Sequence, residues 1–281
     1  MGCRLTAINQ RRVSSLFSLD PKLAAKLKPH LKRVLVLEAN PAYARILVDM
    51  LRVLGAERVL VETDDRRAIL LCQDFDPQII FCDLKGPNIE GAPFVTGLRR
   101  SDMKCRKIPV IMMASNDLPE TMKQARDCGS DEIMKKPFAS GDLLQRLDHV
   151  VTKSRPWIEA VMYVGPDRRR FNSGLGGATT RPPENMSDGM KRLEQSVRIL
   201  RAAADQYDSD RKQAKRAITA QLEVLVPACK AISDPKFKGA VTEIFAAYKS
   251  GEMTGEMLKA PVAVLASLFR IADAPKKENV A

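Results

Sequence analysis

Between residues 33 and 151, short apolar runs alternate five times with amphipathic stretches, and this alternation constrains the fold more than any other feature of the sequence. The apolar runs lie at 34–37, 59–61, 79–84, 110–114 and 132–136; the amphipathic stretches lie at 43–54, 66–75, 92–98, 118–128 and 141–151. Runs without polar alternation belong to strands covered on both faces, which requires a parallel sheet with helices on each side. The expected class is therefore α/β, with a doubly wound five-stranded parallel sheet. In such sheets ligands bind just beyond the carboxyl ends of the strands, where strand order reverses. Those ends hold Glu38, Asp83, Ser115 and Lys136.

Charge divides the chain the same way. Residues 1–30 carry six Lys and Arg against one acid, residues 31–150 carry 18 against 18, and residues 151–281 carry 22 against 15, so the net +12 lies outside the middle segment. The longest apolar stretch, 261–269 with Ser267 inside it, is too short to cross a bilayer, and no membrane partner is expected. Cysteines at 3, 72, 82, 105, 128 and 229 show no paired spacing, and the only histidines are His30 and His149, so neither a disulfide framework nor a zinc cluster is expected. This usage suits a reducing, cytoplasmic compartment. The opening Met1-Gly2-Cys3 through Thr6 fits a loose N-myristoylation pattern of a kind that recurs by chance.

The expected domains are a flexible extension over 1–30, an α/β domain over 31–152, a basic extension and flexible linker over 153–185, a small all-α domain over 186–272, and a disordered tail over 273–281. In the helical part, Met186, Met190, Leu193, Val197, Leu200, Ala204 and Tyr207 form a heptad stripe. It can pack on Ile218, Leu222 and Leu225 of a second helix over 210–232, or pair with another chain in a homodimer through the 186–207 helix. Pro227 is expected to kink that second helix or end it early. Ser233-Asp234-Pro235 signals the start of a third helix carrying Phe237, Val241, Ile244, Phe245 and Tyr248, and 257–269 offers a fourth. With no His there, the helices cannot act as a histidine phosphotransfer module, and no enzymatic output is expected.

Two carboxylates, a hydroxyl and an ammonium around one rim suit a phosphoryl group carried on a carboxylate. Asp83 would be the nucleophile toward a phosphoramidate, with magnesium and Lys136 neutralising charge and Ser115 donating a hydrogen bond. The pieces 34–38, 76–84, 108–115, Gly129-Ser130-Asp131-Glu132 and Lys136-Pro137-Phe138 stand in order, and with them residues 33–151 resemble bacterial response-regulator receiver domains, the flavodoxin-like fold of the chemotaxis regulator. The resemblance implies Asp83 as phosphoacceptor, Ser115 and Lys136 as the switch pair, and a metal held by Glu38, Asp83 and the backbone carbonyl of Lys85. It also implies two-component phosphorelay signalling, with a histidine kinase or phosphotransfer protein upstream and output through a protein partner. The family places two adjacent acids after the first strand, whereas here Glu38 is followed by Ala39. Losing a carboxylate ~4 Å from a divalent ion forfeits about 8 kcal/mol of gross Coulomb energy at an effective dielectric near ~20, so magnesium affinity should fall. Ile133 replaces an aromatic that often reports phosphorylation. Two alternatives stay open: a degenerate receiver acting as a phosphorylation-independent scaffold, and a nucleotide messenger bound through Arg168, Arg169 and Arg170. No recognition helix for DNA stands out, and DNA binding is not expected.

Overall fold

The computed structural model of the chain describes residues 21–153, 155–168 and 188–271. Arg169, Arg170, Met186, the Met1-Gly2 start and the 273–281 tail lie outside the described residues. The described chain falls into two units, 21–158 with 163–168, and 159–162 with 188–271.

The first unit is built on β1 (Arg33–Leu37), β2 (Arg58–Glu62), β3 (Ile79–Asp83), β6 (Val110–Ala114) and β7 (Glu132–Lys135), all parallel, in the order β2-β1-β3-β6-β7. This is the doubly wound, flavodoxin-like sheet that the apolar runs require. Alternate residues of the central strands feed two separate cores. Leu35, Ile80, Cys82 and Met112 pack on one face, and Val34, Val36, Phe81 and Met113 on the other. Each fully buried Leu, Ile or Val contributes roughly 1.5–3 kcal/mol.

Helices α3 (Asp65–Asp74), α4 (Gly91–Arg100) and α5 (Pro119–Asp127) cover the first face. Helices α2 (Pro41–Val53) and α6 (Ser140–Thr152) cover the second. Local chemistry sets the helix starts: Asn40 and Asp64 accept backbone N–H bonds at the N-caps of α2 and α3, and Pro41 sits in the first turn of α2. Residues 21–30 fall within the extension drawn over 1–30, and here they include α1 (Pro21–Leu27), whose Leu27 is fully buried in the second core.

Two small ribbons were not foreseen. β4 (Lys85–Gly86) and β5 (Ile89–Glu90) form a hairpin immediately after β3. β8 (Trp157–Glu159) and β9 (Val164–Pro166) form a two-stranded sheet inside the stretch read as basic extension and linker.

The second unit consists of α7 (Asp188–Asp205), α8 (Arg211–Ala231), α9 (Pro235–Ser250) and α10 (Gly255–Leu268). Each helix packs on its neighbour in sequence, and α10 returns to pack on α7, which makes a four-helix bundle with short connections. Pro227 does not end α8. It lies on the exposed face, as does Glu223, so solvent can take the carbonyl that the proline leaves without an N–H. From Val197 onward the heptad stripe is buried within this unit, whereas Met190 is 41 % exposed. Gln213 Nε2 donates to Glu159 Oε1 at 3.0 Å and Gln221 Nε2 to the Glu159 carbonyl at 3.3 Å, fixing the 159–162 segment on α8. No described helix is long and apolar enough to cross a membrane.

Candidate functional site

The carboxyl ends of β1, β3 and β7 converge, and the backbone fixes how. Glu38 N–H donates to the Glu62 carbonyl at 3.0 Å, Leu84 N–H to Met113 at 2.8 Å, and Lys136 N–H to Ala114 at 2.7 Å. These bonds continue the ladders one residue past the strands and aim Glu38, Asp83 and Lys136 at one another. Lys136 Nζ lies 2.5 Å from Glu38 Oε2 and 2.9 Å from Asp83 Oδ2, and 5.1 Å from the centre of the Tyr43 ring. Glu38, Asp83 and Lys136 are only 1 %, 5 % and 6 % exposed. Two carboxylates therefore share one ammonium in a buried pocket.

Burial pushes the Asp83 carboxyl above its ordinary range, the Lys136 hydrogen bond and charge pull it back, and the Glu38 charge raises it again. The other Glu38 oxygen, Oε1, accepts the Asn40 N–H at 2.8 Å. Ser115 stands one residue past Ala114 on the same rim, is exposed, and among the described residues makes no hydrogen bond with Asp83 or Lys136. The structure thus brings three of the four expected rim residues together. Lys85 opens β4, and its backbone N–H turns toward the Asp83 carboxylate. Arg168 is engaged elsewhere, 3.3 Å from Asp127 and over the Tyr163 ring at 5.0 Å.

Several participants were missed by sequence reasoning. Tyr43 and Asn40 frame the triad from the first turn of α2, and Asn40 was recognisable only as a helix cap. Gly91 allows the β4–β5 hairpin to close over the end of β3, because a Cβ there would meet the Asp83 carbonyl oxygen at 2.1 Å. Asp65 holds that hairpin by accepting the Glu90 N–H at 2.8 Å.

A magnesium ion at this rim would need carboxylate oxygens that are free to leave their partners. Lys136 is paired with one Glu38 oxygen and one Asp83 oxygen, the Asn40 N–H donates to the other Glu38 oxygen, and residue 39 is Ala. The expected ligands Glu38 and Asp83 stand together at this rim, where a magnesium ion would compete with Lys136 for them and would lack a second adjacent acid at residue 39.

Residues 34–148 match the family model described as response regulator receiver domain. An uncharacterized 76.5 kDa protein of Thiocystis violacea is 25 % identical over 170 residues, 60 % of this chain and 23 % of that protein. The transcriptional regulatory protein PdtaR of Mycobacterium tuberculosis is 26 % identical over 125 residues, 44 % of this chain and 58 % of the relative. This chain thus spans under two thirds of either relative. Protein PilG of Pseudomonas aeruginosa is 28 % identical over 129 residues, 46 % of this chain and 93 % of PilG. Among solved structures, the Vibrio cholerae chemotaxis protein CheY4 is 24 % identical with a TM-score of 0.40, over 43 % of this chain and 98 % of that one. The sheet order and the family model agree that residues 34–148 form a response regulator receiver domain.

Proposed function

We propose that this chain is a two-component signalling protein, not an enzyme, whose receiver passes its signal by protein contact while Lys136 holds its acid pocket closed. The observation that carries this reading is the Lys136 ammonium bridging Glu38 at 2.5 Å and Asp83 at 2.9 Å beside Ala39. A pocket whose two carboxylates are already bridged by an ammonium attracts a divalent ion less strongly, and without that ion the charge developing during phosphoryl transfer is poorly stabilised. On this reading a histidine kinase or phosphotransfer protein is a docking partner upstream, and the helices α7 to α10 present the output to a protein partner.

A second reading, phosphorylation on Asp83, is favoured by the position of that carboxylate at the end of the central strand beside an ammonium. An Asp83 oxygen would attack phosphorus, the P–N bond would break, and the amine would leave with a proton. One experiment separates the two. With a labelled phosphoramidate and magnesium, the wild-type chain should take up less than about a tenth of the label taken up by Ala39→Asp, and Asp83→Asn in the Ala39→Asp background should remove it. Stoichiometric label on the wild type, lost in Asp83→Asn alone, would establish the second reading instead.

A further inference from the structure

The acid pocket has a side that its carboxylates do not fill. Lys136 is 6 % exposed, and two directions around its ammonium are taken by Glu38 Oε2 at 2.5 Å and Asp83 Oδ2 at 2.9 Å. Among the described residues no third carboxylate pairs with that ammonium, and the group beside it is the Tyr43 ring, whose centre lies 5.1 Å from Nζ. One local turn sets both contacts. Asn40 donates its N–H to Glu38 Oε1 at 2.8 Å, and its side-chain oxygen accepts the N–H groups of Ala42 at 2.9 Å and Tyr43 at 3.4 Å. The residue that holds Glu38 thereby also starts the helix that presents Tyr43. On its other side the Tyr43 ring leans on Phe138, with centroids 6.2 Å apart and planes tilted by 37°. Phe138 stands two residues after Lys136 and is 9 % exposed in the second core, so Tyr43 clasps the same loop at two points. The Tyr43 hydroxyl has no hydrogen-bond partner among the described residues, which leaves the ring as the part that acts.

We infer that Tyr43 is a positioning residue whose ring holds the Lys136 ammonium in its bridge between Glu38 and Asp83, and so sets how readily a divalent cation enters the pocket. An aromatic face attracts a cation through the negative charge of its π cloud, most strongly where water is excluded. The ring is thus a third, uncharged partner for the ammonium, and it stabilises the closed bridge. Magnesium is a hard cation that takes oxygen ligands, so at this rim it draws on the same two carboxylates. To take those oxygens from Lys136 it has to overcome the hold of the ring on the ammonium as well as the attraction of the counterions. Removing the π face while keeping an apolar side chain at position 43 should therefore favour the metal.

This role presupposes the closed pocket, and one set of titrations separates the two. Magnesium is titrated against the full-length wild type, Tyr43→Phe, Tyr43→Leu and Ala39→Asp, and read from the amide resonances of residues 38–40 and 83–86. Tyr43→Phe keeps the ring and should match wild type within about twofold, while Tyr43→Leu loses the π face and should bind magnesium about threefold or more tightly than wild type. Before any metal is added, the Lys136 ε-methylene protons should be shifted upfield by the ring in wild type and Tyr43→Phe, and should return toward free-lysine values in Tyr43→Leu. Free-lysine values in the wild type would overturn the role of Tyr43. Tyr43→Leu binding no more tightly than wild type, while Ala39→Asp binds tightly, would overturn that role and leave the closed pocket standing. Wild type as tight as Ala39→Asp would remove both.

Discussion

Replacing Lys136 by Met should cost the receiver about 3–5 kcal/mol at pH 8, because Glu38 and Asp83 would be left as uncompensated buried charges. Lys136 is the ammonium within 3 Å of both, at 2.5 and 2.9 Å, in a pocket where the three side chains are at most 8 % exposed. The variant should recover part of its stability in mild acid. Burial already raises the Asp83 carboxyl in the folded chain above its unfolded value, and Lys136 is the main influence pulling it back. A carboxyl raised in the folded state contributes stability that is fully present below the unfolded value and lost as pH rises through the folded one. Without Lys136 that folded value moves higher, so the deficit relative to wild type should shrink steadily from pH 8 to pH 5. Asp131 and Glu132, also raised by burial, act in both proteins and cancel in the difference. The measurement is urea unfolding at both pH values, followed through Trp157, the only tryptophan in the chain, which sits in the receiver unit. A deficit below about 1 kcal/mol at pH 8, or one that grows in acid, would count against a triad held together by Lys136.

Arg99→Met should be as damaging, for a different reason. Arg99 is fully buried; its Nε donates to the Gly129 carbonyl at 2.9 Å, Nη1 to Arg106 at 2.7 Å and Ile108 at 2.8 Å, and Nη2 to Asp131 at 2.8 Å. The guanidinium also stacks on Trp157 at 5.3 Å. One side chain thus joins the end of α4, the approach to β6, the loop before β7 and the ribbon after α6. Methionine fills similar volume but leaves three carbonyls without their Arg99 donor and the Asp131 carboxylate with the Val110 N–H but no countercharge from Arg99, a loss of about 3–5 kcal/mol. Against a total stability of about 5–15 kcal/mol for a domain, the receiver should be partly unfolded at moderate temperature. The Trp157 transition should shift sharply to lower urea, while the helical signal of the second unit keeps its own midpoint. A loss under about 1 kcal/mol would mean that water replaces Arg99 without difficulty.

The contrast between these two sites shows what a sequence of this kind discloses. β1, β3 and β6 were legible because each side of these strands meets a core, so their residues are apolar without interruption. The acid pocket was legible because Glu38, Asp83 and Lys136 each end such a run, and a parallel sheet brings those ends to one rim. Ser115 shared that logic but was left out of the triad: it is exposed and has no hydrogen bond to Asp83 or Lys136. The β8–β9 ribbon was not legible, because nothing local marks it. It depends on Arg99 stacking on Trp157 and on Gly129, at φ 96°, where a Cβ would lie 2.6 Å from the Val164 carbonyl oxygen. Those partners are far apart in sequence, and Arg155-Pro156-Trp157 alone looks like a charged linker. Pro227 failed as a helix stop because whether its missing N–H matters depends on which way α8 faces, which only packing decides.

Lys136 offsets one of the two carboxylate charges that a divalent ion would otherwise meet alone. The decisive experiment is magnesium titration of the wild-type chain beside Ala39→Asp, read from the amide resonances of residues 38–40 and 83–86. Ala39→Asp should bind magnesium at least about tenfold more tightly, a difference of about 1.4 kcal/mol or more. Wild-type affinity equal to or tighter than that of Ala39→Asp would show that the closed acid pocket does not weaken metal binding.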